Sequence, residues 1–206
     1  SQGKREGFQS IMENDTPKSK NKFEILDLSN FTNEIKSIAK LFGADLIGIT
    51  KLDERWHYSH RVDTRSFKPI KNKISKKLST VIVLGHSMNK KLVDTYPSAL
   101  AGAGTGLEYS REAAIVTQLS SYIKGLGYES MGSMNDTALV IPYAIKAGLG
   151  EYARNQMVIT PEFGPRVRFS KIFTDMPLVF DKPSRFGITE YCNICNKCSN
   201  SCPPKA

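Results

Sequence analysis

MNDTALVIPYAIKAGLGEYARNQMVITPEFGPRVRFSKIFTDMPL, residues 134–178, carries the alternation on which the fold class turns. Asp136 is suited to cap a helix running through Ala138, Ile141 and Ile145 to Gly148, with Pro142 shortening or kinking it. Two strands are expected after it, over 156–160 and 168–174, and Pro177 and Pro183 mark a linker. Three glycines, two prolines and three arginines crowd residues 148–170. Such crowding is more often loop geometry than a site, yet the arginines suit an anionic group or a phenolate.

Upstream the mixture continues. Residues 1–22 are polar and charged and read as a loose leader, with globular sequence from Phe23. Asn30 is positioned to cap a helix bearing Ile35, Ile38, Ala39 and Phe42, ended by Gly43. DLIGIT (45–50) and TVIVLG (80–85) read as strands. A long helix is expected over 108–124, with Ala113, Val116, Leu119 and Ile123 inward and Gly125 past its end. Helices and strands mixed in this way predict an α/β or α+β core. No internal repeat is visible.

Composition bounds the function less tightly. The apolar and charged fractions, 40% and 24%, are ordinary for a globular protein. No stretch approaches the ~20 apolar residues of a membrane-spanning helix. The net charge of +9, concentrated at Lys18, Lys20 and Lys22 and in the run from Lys68 to Lys77, admits nucleic acid, an anionic membrane or an acidic electron donor. A solvated basic face is the commoner meaning of such runs, and the lysines lack the interleaved aromatics of single-strand binders. Nucleic acid is not expected as a partner.

The four cysteines, Cys192, Cys195, Cys198 and Cys202, fall near the C-terminal end, and Pro203 follows the last. C-x2-C-x2-C-x3-C-P is the bacterial ferredoxin spacing for a [4Fe–4S] cluster. Zinc sites usually separate their two C-x2-C pairs by a longer loop, and disulfides need facing Cβ atoms that so tight a run hardly allows. In two-cluster ferredoxins the fourth cysteine serves the other cluster, so Cys202 is expected to ligate a second cluster whose remaining ligands lie elsewhere. Ser1 is not an initiator methionine, and the chain is read as part of a longer protein, expected to be inactive alone.

Four segments resemble the corrinoid- and iron–sulfur-dependent reductive dehalogenases: FGADLIGITKLDERWHYS (42–59), PSALAGAGTGLEYSREAA (97–114), residues 134–178, and CNICNKCSNSCP (192–203). Their order matches as well as their wording. The resemblance implies a nitroreductase-like α/β (α+β) corrinoid-binding core over 23–180, followed from 181 to 206 by the start of a ferredoxin-like iron–sulfur domain. It implies a cobalamin-type corrinoid and, in the whole protein, two [4Fe–4S] clusters on cysteines that include the four here. The implied reaction is reductive cleavage of a carbon–halogen bond, the cofactor performing the difficult chemistry. It further implies an organohalide substrate, an upstream electron donor, a small integral-membrane anchor protein, and residence at the outer face of the cytoplasmic membrane after export by the twin-arginine route.

Carried over by position, the family's catalytic tyrosine falls on Tyr109, its partner arginine on Arg168 and its pocket asparagine on Asn135. A free phenol, with a pKa near ~10, is a sluggish donor at neutral pH, and a nearby guanidinium stabilises phenolate. Arg166 is the rival for Arg168, and Tyr152 a weaker one for Tyr109. Gly150, Thr160, Pro161 and Gly164 are candidates for contact with the corrinoid. AGAGTG (101–106) lacks the preceding strand of a dinucleotide fingerprint and suits close approach by a large cofactor or a neighbouring element. Trp56 and Tyr58 suit either a substrate wall or a buried anchor, and His57, His60 and His86 are read as ordinary residues. Epoxyqueuosine reductases, which share the core and act on tRNA, are the alternative family, and a non-catalytic electron-transfer protein is the other.

Overall fold

A computed structural model describes residues 16–62, 66–135 and 137–204. Its centre is a four-stranded antiparallel sheet in the order β1-β4-β8-β5, formed by β1 (Leu46–Lys51), β4 (Thr80–Ser87), β8 (Val167–Thr174) and β5 (Ser130–Ser133). The smaller strands pair among themselves: β2 (His60–Val62) with β3 (Pro69–Lys71), and β6 (Glu151–Tyr152) with β7 (Val158–Ile159). The mixed helix-and-sheet class read from the sequence is observed, in the α+β form because every strand pair among the described residues is antiparallel.

Helices cover both faces of the sheet. Helix α1 (Leu28–Leu41) and the long α3 (Ala99–Gly125) lie on one, where Ile35, Ala39, Val116, Leu119 and Ile123 meet Ile49, Ile82, Leu84 and Ile172. Helix α4 (Val140–Lys146) lies on the other, where Tyr143 and Ala144 meet Val81, Val83, Phe169 and Phe173. Each buried aliphatic side chain contributes about 1.5–3 kcal/mol. Both faces of β4 and β8 are dry, which explains why TVIVLG reads as a continuous apolar run rather than an alternating one. Three shorter α-helices complete the set among the described residues: α2 (Lys90–Val93) and, in the cysteine segment, α5 (Ile188–Cys195) followed by α6 (Lys197–Asn200).

Helix boundaries depart from expectation for identifiable reasons. Helix α1 starts two residues before Asn30, because the Asp27 carboxylate accepts from the amides of Ser29 and Asn30 at 2.9 and 3.0 Å. Helix α3 starts nine residues before position 108, capped by Ser98, and takes in the whole of AGAGTG. Glycine within a helix costs about 1 kcal/mol against alanine. At Gly104 that cost has a return in packing, since a Cβ there would stand 2.9 Å from Leu92 Cβ of α2. Gly125 lies inside the helix; the chain turns at Gly127, with φ +85°. Asp136, the expected cap of α4, lies outside the described residues; Leu139 occupies the cap position, and Pro142 falls in the first turn, where proline costs little.

Of the expected leader, residues 1–15 lie outside the described residues, and residues 16–22 run along the end of α3. Ser19 and Phe23 donate their amides to the carbonyls of Lys124 and Leu126 at 3.0 and 2.9 Å, occupying acceptors that a helix end leaves over. Lys18 pairs with Glu129 at 2.6 Å. No helix among the described residues is long and apolar enough to cross a membrane.

The sheet and the C-cap of α4 approach closely at Gly48, where a Cβ would lie 2.4 Å from the Ala147 carbonyl oxygen. Gly48→Ala is therefore expected to destabilise the fold by about 1–3 kcal/mol, read from the urea midpoint. Gly102→Ala, at a position with nothing within 4 Å, is expected to stabilise it by about 0.5–1 kcal/mol.

Candidate active site

Strand β8 and helix α3 meet at three polar side chains. Tyr109 projects from α3, half-buried, and the Arg168 guanidinium lies over its ring with the central carbon 3.4 Å from the ring centroid. Stacking on that face is the geometry a flat cation prefers. Asn135, just beyond β5, donates from Nδ2 to the Tyr109 hydroxyl at 3.1 Å. The three residues carried over from the resemblance thus stand together, one from a helix, one from a strand and one from a loop.

Arg168 is itself held from behind. Its Nε lies 3.4 Å from Oε2 of Glu112, a residue of α3 that is fully buried. Glu112 follows Tyr109 by three residues, so both lie on one helix face. One turn earlier, buried Glu108 takes two bonds from Arg111 Nη1, at 2.9 and 3.1 Å. Neither glutamate was singled out from the sequence. Charges within a helix read as solvent-facing, and the Arg168 that Glu112 meets lies 56 positions away in the chain.

Arg166, the rival arginine, is committed elsewhere, since its Nη1 donates to the Met88 carbonyl at 2.7 Å. Tyr152 stands exposed on β6. Trp56 packs edge-on against Tyr143 with centroids 4.7 Å apart, and His57 bonds the Tyr143 hydroxyl at 3.0 Å, so both serve as anchors for the turn that carries them. Tyr58 is exposed, and exposed His60 bonds Ser59. His86 is fully buried beside Arg168, its partner across the strand pair, with its Nε2 2.9 Å from the Ser170 hydroxyl. Burial pushes its imidazole down to about 4; nearby Asp45 opposes that push, while Arg111 and Arg168 add to it.

The corrinoid candidates gather around the β6–β7 hairpin. Gly150 is pressed against β7, where a Cβ would lie 2.3 Å from the Ile159 carbonyl oxygen. Thr160 and Gly164 close a tight loop through two backbone bonds of 3.0 Å, and the Thr160 hydroxyl accepts from the Phe163 amide. Gly164, at φ +59°, faces open space, as do Gly102 and Gly106 on α3, so backbone is exposed where a large flat group can approach. Pro161 borders a cavity of about 410 Å³ with Glu162, Lys40 and Lys182 among its walls.

All four cysteines are free thiols, a donor set whose softness suits iron. Cys198 and Cys202 line a cavity of about 610 Å³ together with Arg154, Asn155 and Gln156. Among the described residues no three metal-ligating side chains are gathered, so the thiols fit a cluster by chemistry and spacing rather than by prior assembly. The core grips this segment through Glu151 of β6. Its carboxylate accepts from the amides of Phe186, Gly187 and Ile188, capping α5, whose own cap residue Gly187 offers no side chain. Burial pushes the Glu151 carboxyl up, but the amides together outweigh it and hold the group below its ordinary value.

Comparison with known proteins covers the stretch of chain that contains these residues. A family described as the reductive dehalogenase subunit matches residues 61–178. The tetrachloroethene reductive dehalogenase of Sulfurospirillum multivorans is 36% identical over 205 residues, a match covering 87% of this chain and 41% of that protein. The chain thus spans about two fifths of that relative's length. A solved reductive dehalogenase for which a mechanism of B12-dependent dehalogenation is described superposes with a TM-score of 0.79 at 22% identity, covering 97% of this chain and 29% of that one, which speaks for the fold alone. The epoxyqueuosine reductase of Cyclobacterium marinum is more distant, 26% identical over 157 residues that make up 73% of this chain and 47% of that protein.

Two outcomes follow from this geometry. The unfolded chain takes up a proton at His86 near pH ~6.5, whereas the folded chain does so only near 4. Stability from His86 is therefore fully present above pH ~6.5 and is lost as pH falls toward 4, by at most about 1.4 kcal/mol per unit. His86→Gln is expected to flatten that part of a melting-temperature profile. Glu151→Ala is expected to speed hydrogen exchange at the amides of Phe186, Gly187 and Ile188 by about tenfold or more, with β8 unchanged.

Proposed function

The chain belongs to the reductive dehalogenase family, and on that premise we propose that its protein is an oxidoreductase that replaces the halogen of an organohalide by hydrogen, with Tyr109 as the proton donor. The observation that carries the proposal is the Arg168 guanidinium lying 3.4 Å over the ring of Tyr109 while Asn135 donates to its oxygen.

Replacing halogen by hydrogen consumes two electrons and one proton and releases halide. A bound corrinoid would supply the low-valent cobalt that breaks the carbon–halogen bond, fed by two iron–sulfur clusters. The chain's own residues provide for the proton. As the Tyr109 O–H bond breaks toward the substrate carbon, negative charge gathers on the phenol oxygen. The Arg168 cation stabilises that charge through space. The Asn135 bond becomes charge-assisted at the same moment, so it strengthens as the reaction proceeds. Glu112 offsets the charge of Arg168 in the resting site and keeps its plane against the ring. Cys192, Cys195 and Cys198 would hold one cluster and Cys202 would serve the other. Gly150, Thr160, Pro161 and Gly164, with the open backbone at Gly102 and Gly106, would border the corrinoid.

The proposal extends to setting. The enzyme is placed at the outer face of the cytoplasmic membrane, exported by the twin-arginine route and docked on a small integral-membrane partner, with an upstream donor supplying electrons. Fractionation of cells producing the full-length protein tests this, and recovery wholly in the cytosol would overturn it. The substrate class is left at organohalides, chlorinated alkenes and haloaromatics alike.

In the full-length protein, Tyr109→Phe is expected to lower halide release by about a hundredfold or more with iron and corrinoid contents unchanged. Undiminished turnover would remove Tyr109 from the mechanism. Anaerobically purified protein showing iron–sulfur absorption but no corrinoid bands would refute the cofactor assignment. Turnover of epoxyqueuosine tRNA and of no organohalide would move the protein to the alternative family.

A further inference from the structure

A lysine with no exposed surface is costly to keep, and Lys171 is one, in the middle of central strand β8. The proton transfer proposed above does not use it. Its side chain leaves the sheet on the face of Phe169 and Phe173, opposite to Arg168, and its Nζ donates to the Met134 carbonyl at 2.6 Å. Met134 is the first residue after β5, and its own side chain is buried in the cluster on the α3 face. At this residue the chain is therefore fixed from both sides of the sheet, side chain on one and carbonyl on the other.

That carbonyl shares a peptide plane with the Asn135 nitrogen, and a peptide plane is rigid. Fixing it fixes the direction in which Asn135 leaves, and Asn135 is the residue that donates to the Tyr109 hydroxyl. We propose that Lys171 is a positioning residue of the site: through the Met134 carbonyl it sets the Asn135 amide against Tyr109, and it touches neither substrate nor cofactor. This inference rests on the reading of Tyr109 as the proton donor.

A double-mutant cycle in the full-length, cofactor-loaded enzyme tests it. Lys171→Met keeps the apolar stem and removes the donor, and exchanging a buried cation for an apolar side chain is often tolerated by the fold. Lys171→Met is expected to lower kcat by about tenfold, and in an Asn135→Ala background to cost less than about twofold further. Losses that multiply would mean that Lys171 acts elsewhere and would overturn the proposal, as would an unchanged kcat. Should Lys171→Met not accumulate as loaded enzyme, Lys171→Gln and Lys171→Arg, which keep a donor at a different reach, enter the same cycle under the same criteria. If no organohalide is turned over, the functional reading falls, and Lys171 is judged separately by hydrogen exchange. The backbone amides of Met134, Asn135, Ala138 and Leu139 are expected to exchange about tenfold faster in Lys171→Met, and unchanged exchange would overturn the positioning role.

Discussion

The register of β8 against β4, running without a slip from Thr80↔Thr174 to Ser87↔Val167, is the constraint on which the rest of the molecule hangs. Side chains alternate across a strand, so the pairing assigns each residue of VRFSKIFT to a face. Arg168, Ser170 and Ile172 look toward α3; Val167, Phe169, Lys171 and Phe173 look toward α4. Moving the register by one residue would carry Arg168 to the other face, away from Tyr109, and put Val167 or Phe169 in its place. The antiparallel ladder to β5 on the other edge delivers Ser133 opposite Lys171 and so brings Met134 and Asn135 to the site. Packing of Ile172 under Leu119 and Ile123 resists such slippage because it would expose a dry face.

Charge burial explains why so much of the polar chemistry is paired. A carboxylate or ammonium removed from water must find a partner, or it costs several kcal/mol. Glu112 finds Arg168, Glu108 finds Arg111, Lys171 finds a carbonyl, and Glu151 finds three amides of the cysteine segment. His86 takes the other course and stays neutral. Two of these partnerships tie together parts with different tasks. The first sets the cation against the phenol, and Glu151 fastens the first cysteine-bearing helix to the core.

Much of this was legible from residue pattern. The apolar runs of β1 and β4, the inward stripe of α3 from Ala113 to Ile123 and the strand over 168–174 follow from spacing alone. Weak local signals hid the rest. Ser130-Met131-Gly132-Ser133 has little strand propensity and is a strand because β8 presents an edge to it. AGAGTG is rich in helix-weakening glycine and is helical because Ser98 caps it and Leu92 packs against Gly104. Residues 16–22 look like a polar arm, yet Ser19 among them supplies an amide to the end of α3, a need that belongs to a distant element.

By itself, then, the sequence determined the mixed helix-and-sheet class, the thiol donor set at its C-terminal end and, through the resemblance of residues 42–59, 97–114, 134–178 and 192–203, the three side chains that now stand together as Tyr109, Arg168 and Asn135. Local spacing and shared wording carry such information because each is a property of contiguous residues. Only the tertiary structure decided which arginine stacks on the tyrosine, which glutamate stands behind it, and that a buried lysine holds the loop of Asn135. Those are relations between residues 37 to 59 positions apart, created by strand register and helix packing, and burial turns them from chance neighbours into partners.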